Sequence, residues 1–293
     1  MKPIVVDGLA KAYGSRAVLD YVSFTVESGE VVAILGPNGA GKTTTVEILE
    51  GFRRRDRGSV RVLGEDPERP SSGFRENVGV VLQDTRPDPY LTTRETVDLA
   101  GGWYERPLKT ADVLEVVGLA AHAEARVATL SGGQQRRLDF ALGLVGDPHL
   151  LFLDEPTTGF DPAARREAWE AIRRLREIGT TVLLTTHYLD EAEALADRVI
   201  ILANGHVVAD GPPSTIGRRA TTHLISFDPR RIDPHLVIPV SGNLVDGRWQ
   251  TEVAEATTAL HALSTWALEH GVLLDDLTVT RPSLEDVYLE LIE

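Results

Sequence analysis

The sequence predicts an α/β fold, a parallel sheet with helices on both faces, followed by a small α+β domain. Three observations predict it. From Leu150 to Ala196, short apolar runs alternate with helical stretches, the pattern of repeated strand–helix units. Val31 to Leu35 is apolar at every position, as in a strand buried on both faces, and it runs into a glycine-rich loop and a helix. Gly211-Pro212-Pro213 then interrupts the chain, and its character changes near Arg218.

Taken in order, Ile4 to Leu9 and the alternating Val22 to Glu27 read as strands, then Val31 to Leu35, then a helix over Thr43 to Glu50. Val60 to Leu63 and Val78 to Leu82 read as short strands. Between about Thr92 and Gly146 the pattern is helical, with Thr93 as cap and Glu95 in the first turn. Strand Leu150 to Leu153, helix Pro162 to Ile178, strand Thr181 to Thr185 and helix Leu189 to Ala196 follow, then strands Val199 to Leu202 and His206 to Ala209. The tail reads as strands near Leu224 to Phe227, Val237 to Val240 and Trp249 to Val253. A helix from about Glu255 to His270, a strand Leu273 to Thr280 and a helix capped by Ser283 complete it. The expected boundaries are a first domain over residues 1–217, with a helical subdomain at about 84–146, and a second over 218–293.

Composition narrows the class. The chain has 293 residues, 42% hydrophobic and 25% charged, as in a soluble globular protein. No window has the length of uninterrupted apolar residues that a membrane helix needs. The start, MKPIVVDGLAKAYG, lacks a signal peptide's apolar core, so a cytoplasmic location is expected. There are no cysteines, which excludes disulfides and thiolate metal sites. The net charge of −14 argues against nucleic acid as a partner. The 30 basic residues include only four lysines, Lys2, Lys11, Lys42 and Lys109, so Lys42 inside the glycine-rich loop stands out. Arg53-Arg54-Arg55 with Arg57 reads as a solvated loop. Asp139 is an unusual acid in a mostly apolar helix.

The chemistry lies in three motifs. GPNGAGKT comprises Gly36, Pro37, Asn38, Gly39, Ala40, Gly41, Lys42 and Thr43, with Thr44 behind it. Its glycines let backbone N–H groups face phosphates, and the following helix adds its positive end. Lys42 is expected to reach the β- and γ-phosphates and Thr43 to place its hydroxyl on Mg²⁺. In LLFLDEP, the strand delivers Asp154 beside the metal and Glu155 beside the γ-phosphate, where a carboxylate can orient and polarise water. The third motif is LSGGQ, Leu130 to Gln134, placed some twenty residues before Asp154-Glu155.

These motifs, in this order, resemble the nucleotide-binding subunit of an ABC transporter over residues 1 to about 217. The expected fold is therefore the ABC ATPase form of the P-loop NTPases, a mixed sheet core with a helical subdomain. The resemblance implies further roles. Tyr13 fits the aromatic that stacks on adenine, Gln83 the glutamine that senses γ-phosphate and metal, and His187 the switch histidine. Ser131, Gly132, Gly133 and Gln134 resemble the signature loop that completes the opposite subunit's site, and Asp161 the aspartate at the dimer interface. The catalytic set is thus Glu155, His187 and Gln83, with Thr43, Gln83 and Asp154 toward the metal. One departure is Phe160, where the family usually has leucine.

ATP and Mg²⁺ are the implied cofactors, and a second copy of the chain and an integral membrane permease the implied partners. The protein would then lie peripherally on the inner face of the membrane. Asp84 to Tyr104 is the segment expected to meet the permease. The ending RPSLEDVYLELIE resembles that of bacterial drug-resistance and ABC-2-type export ATPases. Export of a multidrug, antibiotic, lipid or polysaccharide class is the favoured reading. An importer ATPase and a soluble ABC ATPase acting on DNA, ribosomes or protein assembly are the alternatives. The last lacks a coiled-coil insertion, a cysteine zinc site and a second cassette.

Overall fold

Ile4–Tyr13 (β1) pairs antiparallel with Arg16–Val26 (β2) across a tight turn, and on its other edge with a later strand, Arg57–Val62. Between them the chain forms the fully buried Val31–Leu35 (β3) and the helix Lys42–Leu49 (α1). A computed structural model of the chain describes residues 2–81, 87–216, 223–233, 235–280 and 288. Calling the later strand β4, the sheet β2-β1-β4 is antiparallel and separate from the main sheet. β1, β2 and β4 therefore add an antiparallel layer to the expected mixed core, and β1 and β2 alternate in burial because only one face packs on the core.

Ser72–Asn77 (α2), capped by Ser71, leads into Val78–Val81 (β5). Helices Thr93–Gly101 (α3), Thr110–Val116 (α4) and Gly132–Leu144 (α5) form the helical part, packed on Val97, Val113, Leu114 and Leu138. The cap of α3 is Thr92, one residue before the expected Thr93. Its hydroxyl accepts from the Glu95 N–H while the Glu95 carboxylate accepts from the Thr92 N–H, a reciprocal capping box.

Leu150–Asp154 (β6), Pro162–Glu177 (α6), Thr181–Thr186 (β7), Leu189–Leu195 (α7), Arg198–Ala203 (β8) and His206–Gly211 (β9) complete the six-stranded sheet, ordered β5-β6-β7-β3-β8-β9. All pairs are parallel except β8 with β9. Register now positions the chemistry: Leu35 pairs with Thr186, and Asp154 with Thr185. The segments beginning at Gly36, Glu155 and His187 therefore leave the sheet at one carboxyl edge, where open α/β sheets bind ligands.

Backbone packing divides the chain into Met1–Pro213 and Ser214–Glu293, with the short Pro213–Ile216 (α8) at the division. In the second unit, His223–Asp228 (β10), Asn243–Val245 (β11), Arg248–Val253 (β12) and Asp275–Thr280 (β13) form an antiparallel sheet ordered β11-β12-β10-β13. Ala256–His270 (α9) packs Ala259 and Leu263 against Ile225, Phe227 and Trp249. Val237–Val240 is not a strand; Pro239 cannot donate a ladder hydrogen bond, and the outer strand forms instead at β11. The helix expected after Ser283 lies outside the described residues apart from Tyr288, which is helical.

One further expectation is adjusted. Arg55 is not solvated: it is half-buried and clasps Asp66 at 2.8 and 2.6 Å, with Glu68 at 3.3 Å. Among the described residues, no helix is long and apolar enough to cross a membrane.

Candidate functional site

The loop from Gly36 to Thr43 is shaped by what surrounds it. A Cβ on Gly36 would lie 2.3 Å from the Leu202 carbonyl oxygen. Gly41 has φ 105°, and a Cβ there would meet Leu19 Cδ2 at 2.4 Å, so only glycine suits either position. Ala40 is buried, and its N–H donates to the Pro37 carbonyl at 3.1 Å, closing the turn. Lys42 is 5% exposed and donates from Nζ to the Gly36 carbonyl at 2.8 Å. Burial lowers its pKa from the usual lysine range, opposed by the carboxylates of Glu155 and Asp154.

Glu155 Oε1 lies 3.9 Å from Lys42 Nζ and 3.3 Å from His187 Nδ1. The His187 nitrogen is buried and has no hydrogen-bond partner among the described residues. The Glu155 backbone is left-handed, φ 44°. Thr185 holds it there: its hydroxyl donates to Asp154 Oδ1 and accepts the Glu155 N–H at 2.9 Å. One threonine opposite Asp154 in register thus ties both acidic residues to β7.

A cavity of about 250 Å³ lies over the loop, lined by Tyr13, Asn38, Gly39, Gly41, Lys42, Thr43, Thr44 and Glu155, together with Arg16 and Val18. Sequence reasoning missed the last two. Tyr13 and Arg16 are paired across the β1–β2 turn, so they share a face, and the Gly14-Ser15 turn was the available signal. Arg53, held by Glu47 on α1, sits with its guanidinium carbon 5.3 Å from the Tyr13 ring centroid. The donors available to a divalent cation are oxygens, the Thr43 hydroxyl and the Asp154 carboxylate, which suits a hard ion such as Mg²⁺. Gln83 lies outside the described residues.

The LSGGQ residues do not line this cavity. Ser131 caps α5, its hydroxyl accepting the Gln134 N–H at 3.3 Å while Gln134 Oε1 accepts the Ser131 N–H at 2.9 Å. Gln134 Nε2 contacts His122 Nε2 at 3.0 Å. Asp161 caps α6 by accepting from the N–H groups of Ala163 and Ala164. These bonds hold its pKa below the usual carboxylate range. A Cβ on Gly133 would sit 3.2 Å from Ala164 Cβ, so the two helix beginnings abut, with Gly132 open to solvent. The structure gathers Tyr13, the loop, Asp154, Glu155 and His187 at one place, and Ser131 to Gln134 with Asp161 at another.

A family model described as ABC transporter matches residues 19–158, and one described as ABC transporter domain-containing protein-like, C-terminal domain, matches residues 224–283. The chain is 38% identical to the daunorubicin resistance ATP-binding protein DrrA3 of Streptomyces coeruleorubidus, over 98% of this chain and 95% of that protein. It is 43% identical to the Nod factor export ATP-binding protein I of Paraburkholderia xenovorans, over 72% of this chain and 71% of that protein. Among solved structures, it is similar to a dimeric, post-hydrolysis state of the ATP-binding cassette MJ0796 bound to ADP and Pi. That similarity has a TM-score of 0.62 and 26% identity, covering 71% of this chain and 98% of the other.

Proposed function

Because the chain belongs to the ABC transporter family, as an ATP-binding ATPase subunit of the export kind, we propose that Lys42, Glu155 and His187 form its hydrolytic centre. The observation that carries this reading is their convergence, with Glu155 Oε1 within 3.9 Å of Lys42 Nζ and 3.3 Å of His187 Nδ1. Tyr13 stacks on the adenine, and the N–H groups of the loop with Lys42 hold the β- and γ-phosphates. Water attacks the γ-phosphorus, Glu155 accepts its proton, and ADP leaves as the bond to the β-phosphate oxygen breaks. His187, beside the same carboxylate oxygen, orients the γ-phosphate. Thr43, Asp154 and Gln83 would hold Mg²⁺, which would supply charge neutralisation at the phosphates.

Ser131, Gly132, Gly133 and Gln134 act on the nucleotide of a second copy. That they do not line the chain's own cavity supports this, and so does the Ser131 hydroxyl, which accepts one bond and keeps its proton to donate. Asp161 faces the same copy. The working protein is then an ATP-closed homodimer, with binding energy biasing a closed–open equilibrium.

The membrane partner is a separate permease, which places the protein at the inner face of the membrane, with no part for nucleic acid. Tyr90, Leu99 and Trp103, beside or on α3, are 79%, 63% and 85% exposed, and they support docking at Asp84 to Tyr104, of which residues 84–86 lie outside the described residues. Residues 1–217 are the cassette and 218–293 an accessory domain. The match to a drug-resistance protein through both regions favours a drug or antibiotic as cargo over a lipid or polysaccharide.

The test is a pull-down of Glu155→Gln with ATP from detergent-solubilised native membranes. The expected partner is an integral membrane protein without a cassette of its own. Recovery only with ribosomes, DNA or a soluble complex would overturn the transport reading and leave the nucleotide chemistry standing.

A further inference from the structure

We propose that Arg136, held in place by Asp139, is a positioning residue for Glu155. The inference rests on the reading of Glu155 as the proton acceptor. Arg136 lies on α5, five residues beyond Ser131, and is 6% exposed. Its planar guanidinium reaches the turn after β6 with two bonds: Nε donates to the Pro156 carbonyl at 3.0 Å, and Nη2 to the Asp154 carbonyl at 3.3 Å. These carbonyls belong to the residues on either side of Glu155. The fork directions of a guanidinium are rigid, so two such bonds fix orientation as well as distance.

The Asp154 carbonyl and the Glu155 N–H are the two ends of one peptide group. Arg136 grips the first, and the Thr185 hydroxyl the second at 2.9 Å. On the other side of Glu155, the Thr157 hydroxyl donates to Glu191 Oε1 at 2.7 Å. The turn is held at 154, 156 and 157 while the Glu155 side chain projects toward Lys42 and His187. A left-handed backbone at a glutamate persists only where the surroundings hold it, and φ is 44° here.

A cation buried in a helix needs a counter-charge. Asp139 is one turn further along, 8% exposed, with Oδ2 3.5 Å from Arg136 Nη1. The acid that is out of character in an apolar helix thereby pairs with the buried guanidinium and keeps it aimed at the turn. The helix that begins with Ser131 is the same helix that holds Glu155.

The experiment compares Arg136→Met/Asp139→Leu, Arg136→Lys, Asp139→Asn and Glu155→Gln in the full-length protein. Affinity is read with a fluorescent ATP analogue, turnover by phosphate release at saturating ATP, and folding by thermal melting. Misplacing a reacting group by an ångström costs about 100-fold. The paired variant is therefore expected to bind ATP within about twofold of wild type and to lose about tenfold or more in kcat. Arg136→Lys, which restores a donor, recovers part of the loss. Wild-type kcat in the folded paired variant would overturn the proposal, as would affinity and kcat falling in step. Should the paired variant not fold, the two single variants decide by the same criteria. Glu155→Gln separates the layers: if it turns over normally, the Glu155 reading fails first; if it is inactive while the pair variant is active, only the positioning role fails.

Discussion

Glu155 Oε1 stands 3.9 Å from Lys42 Nζ, joining the carboxylate that follows β6 to the ammonium that begins α1, across the intervening β7. Burial lowers the lysine's pKa, and the carboxylates of Glu155 and Asp154 oppose that shift. On the function proposed above, replacing either member has a different consequence, because Lys42 would bind phosphate and Glu155 would accept a proton.

Lys42→Ala removes charge-assisted bonds to phosphate worth about 1.5–3 kcal/mol, so ATP affinity should fall about tenfold or more. Titration with a fluorescent ATP analogue checks this. Affinity near wild type would count against the loop assignment.

Glu155→Gln keeps the shape and loses the proton acceptor. Turnover should fall by about 10²–10⁴-fold while ATP still binds. Phosphate release measured beside nucleotide binding separates the two effects.

Ser131→Arg places a bulky cation at the solvent-facing start of α5. Nucleotide binding to the single chain should be unchanged, and ATP-driven dimerisation of the Glu155→Gln background should be lost, as read by light scattering. A normal dimer would sink the trans role of this loop.

Thr185→Val is nearly isosteric and deletes the hydroxyl that ties Asp154 to the Glu155 N–H. Leaving these groups unpaired should cost about 1–3 kcal/mol in urea unfolding and lower kcat as well. A variant as stable and active as wild type would show the tie to be dispensable.

Burial first, and then the charges of Asp154 and Glu47, push the carboxyl of Glu50 at the end of α1 up to about 8. Its folded pKa lies above its unfolded one, so the folded protein keeps a proton that the unfolded chain has released. That contribution is full below the ordinary carboxylate range and is lost as pH rises through about 8. Glu50→Gln should therefore flatten the fall in stability from pH 5 to 8, and exceed wild type by more at pH 8. Urea unfolding with magnesium chelated tests this; parallel pH profiles would reject it.

The phosphate loop and Asp154-Glu155 were legible because each belongs to a contiguous segment whose strand, turn or helix start follows from local residues, whereas His187 was implied only by the family resemblance. The buried apolar runs of β3 and β6 announced strands covered on both faces for the same reason. Less legible was the separation of β1, β2 and β4 into their own sheet, since alternation names a half-buried strand but not its partner. Val237–Val240 misled because its β-branched residues outweighed one proline in a pattern count, whereas a hydrogen-bond ladder does not forgive it.

Asp139 shows the remaining gap most clearly. Arg136 three residues before it was visible as a helical neighbour, but its targets were not, because the carbonyls of Asp154 and Pro156 arrive from a strand nearly twenty residues away. Sequence by itself determined which chemistry-bearing side chains stand in which motif, Lys42 in the glycine-rich loop and Asp154-Glu155 after an apolar run, because a motif is set by covalent neighbours. Tertiary structure alone decided the geometry: that Leu35 and Asp154 reach the same sheet edge, that Thr185 stands opposite Asp154, and that Arg136 closes on the turn. Register and packing are set by the burial of many distant apolar residues at once, and no short stretch of chain contains that sum.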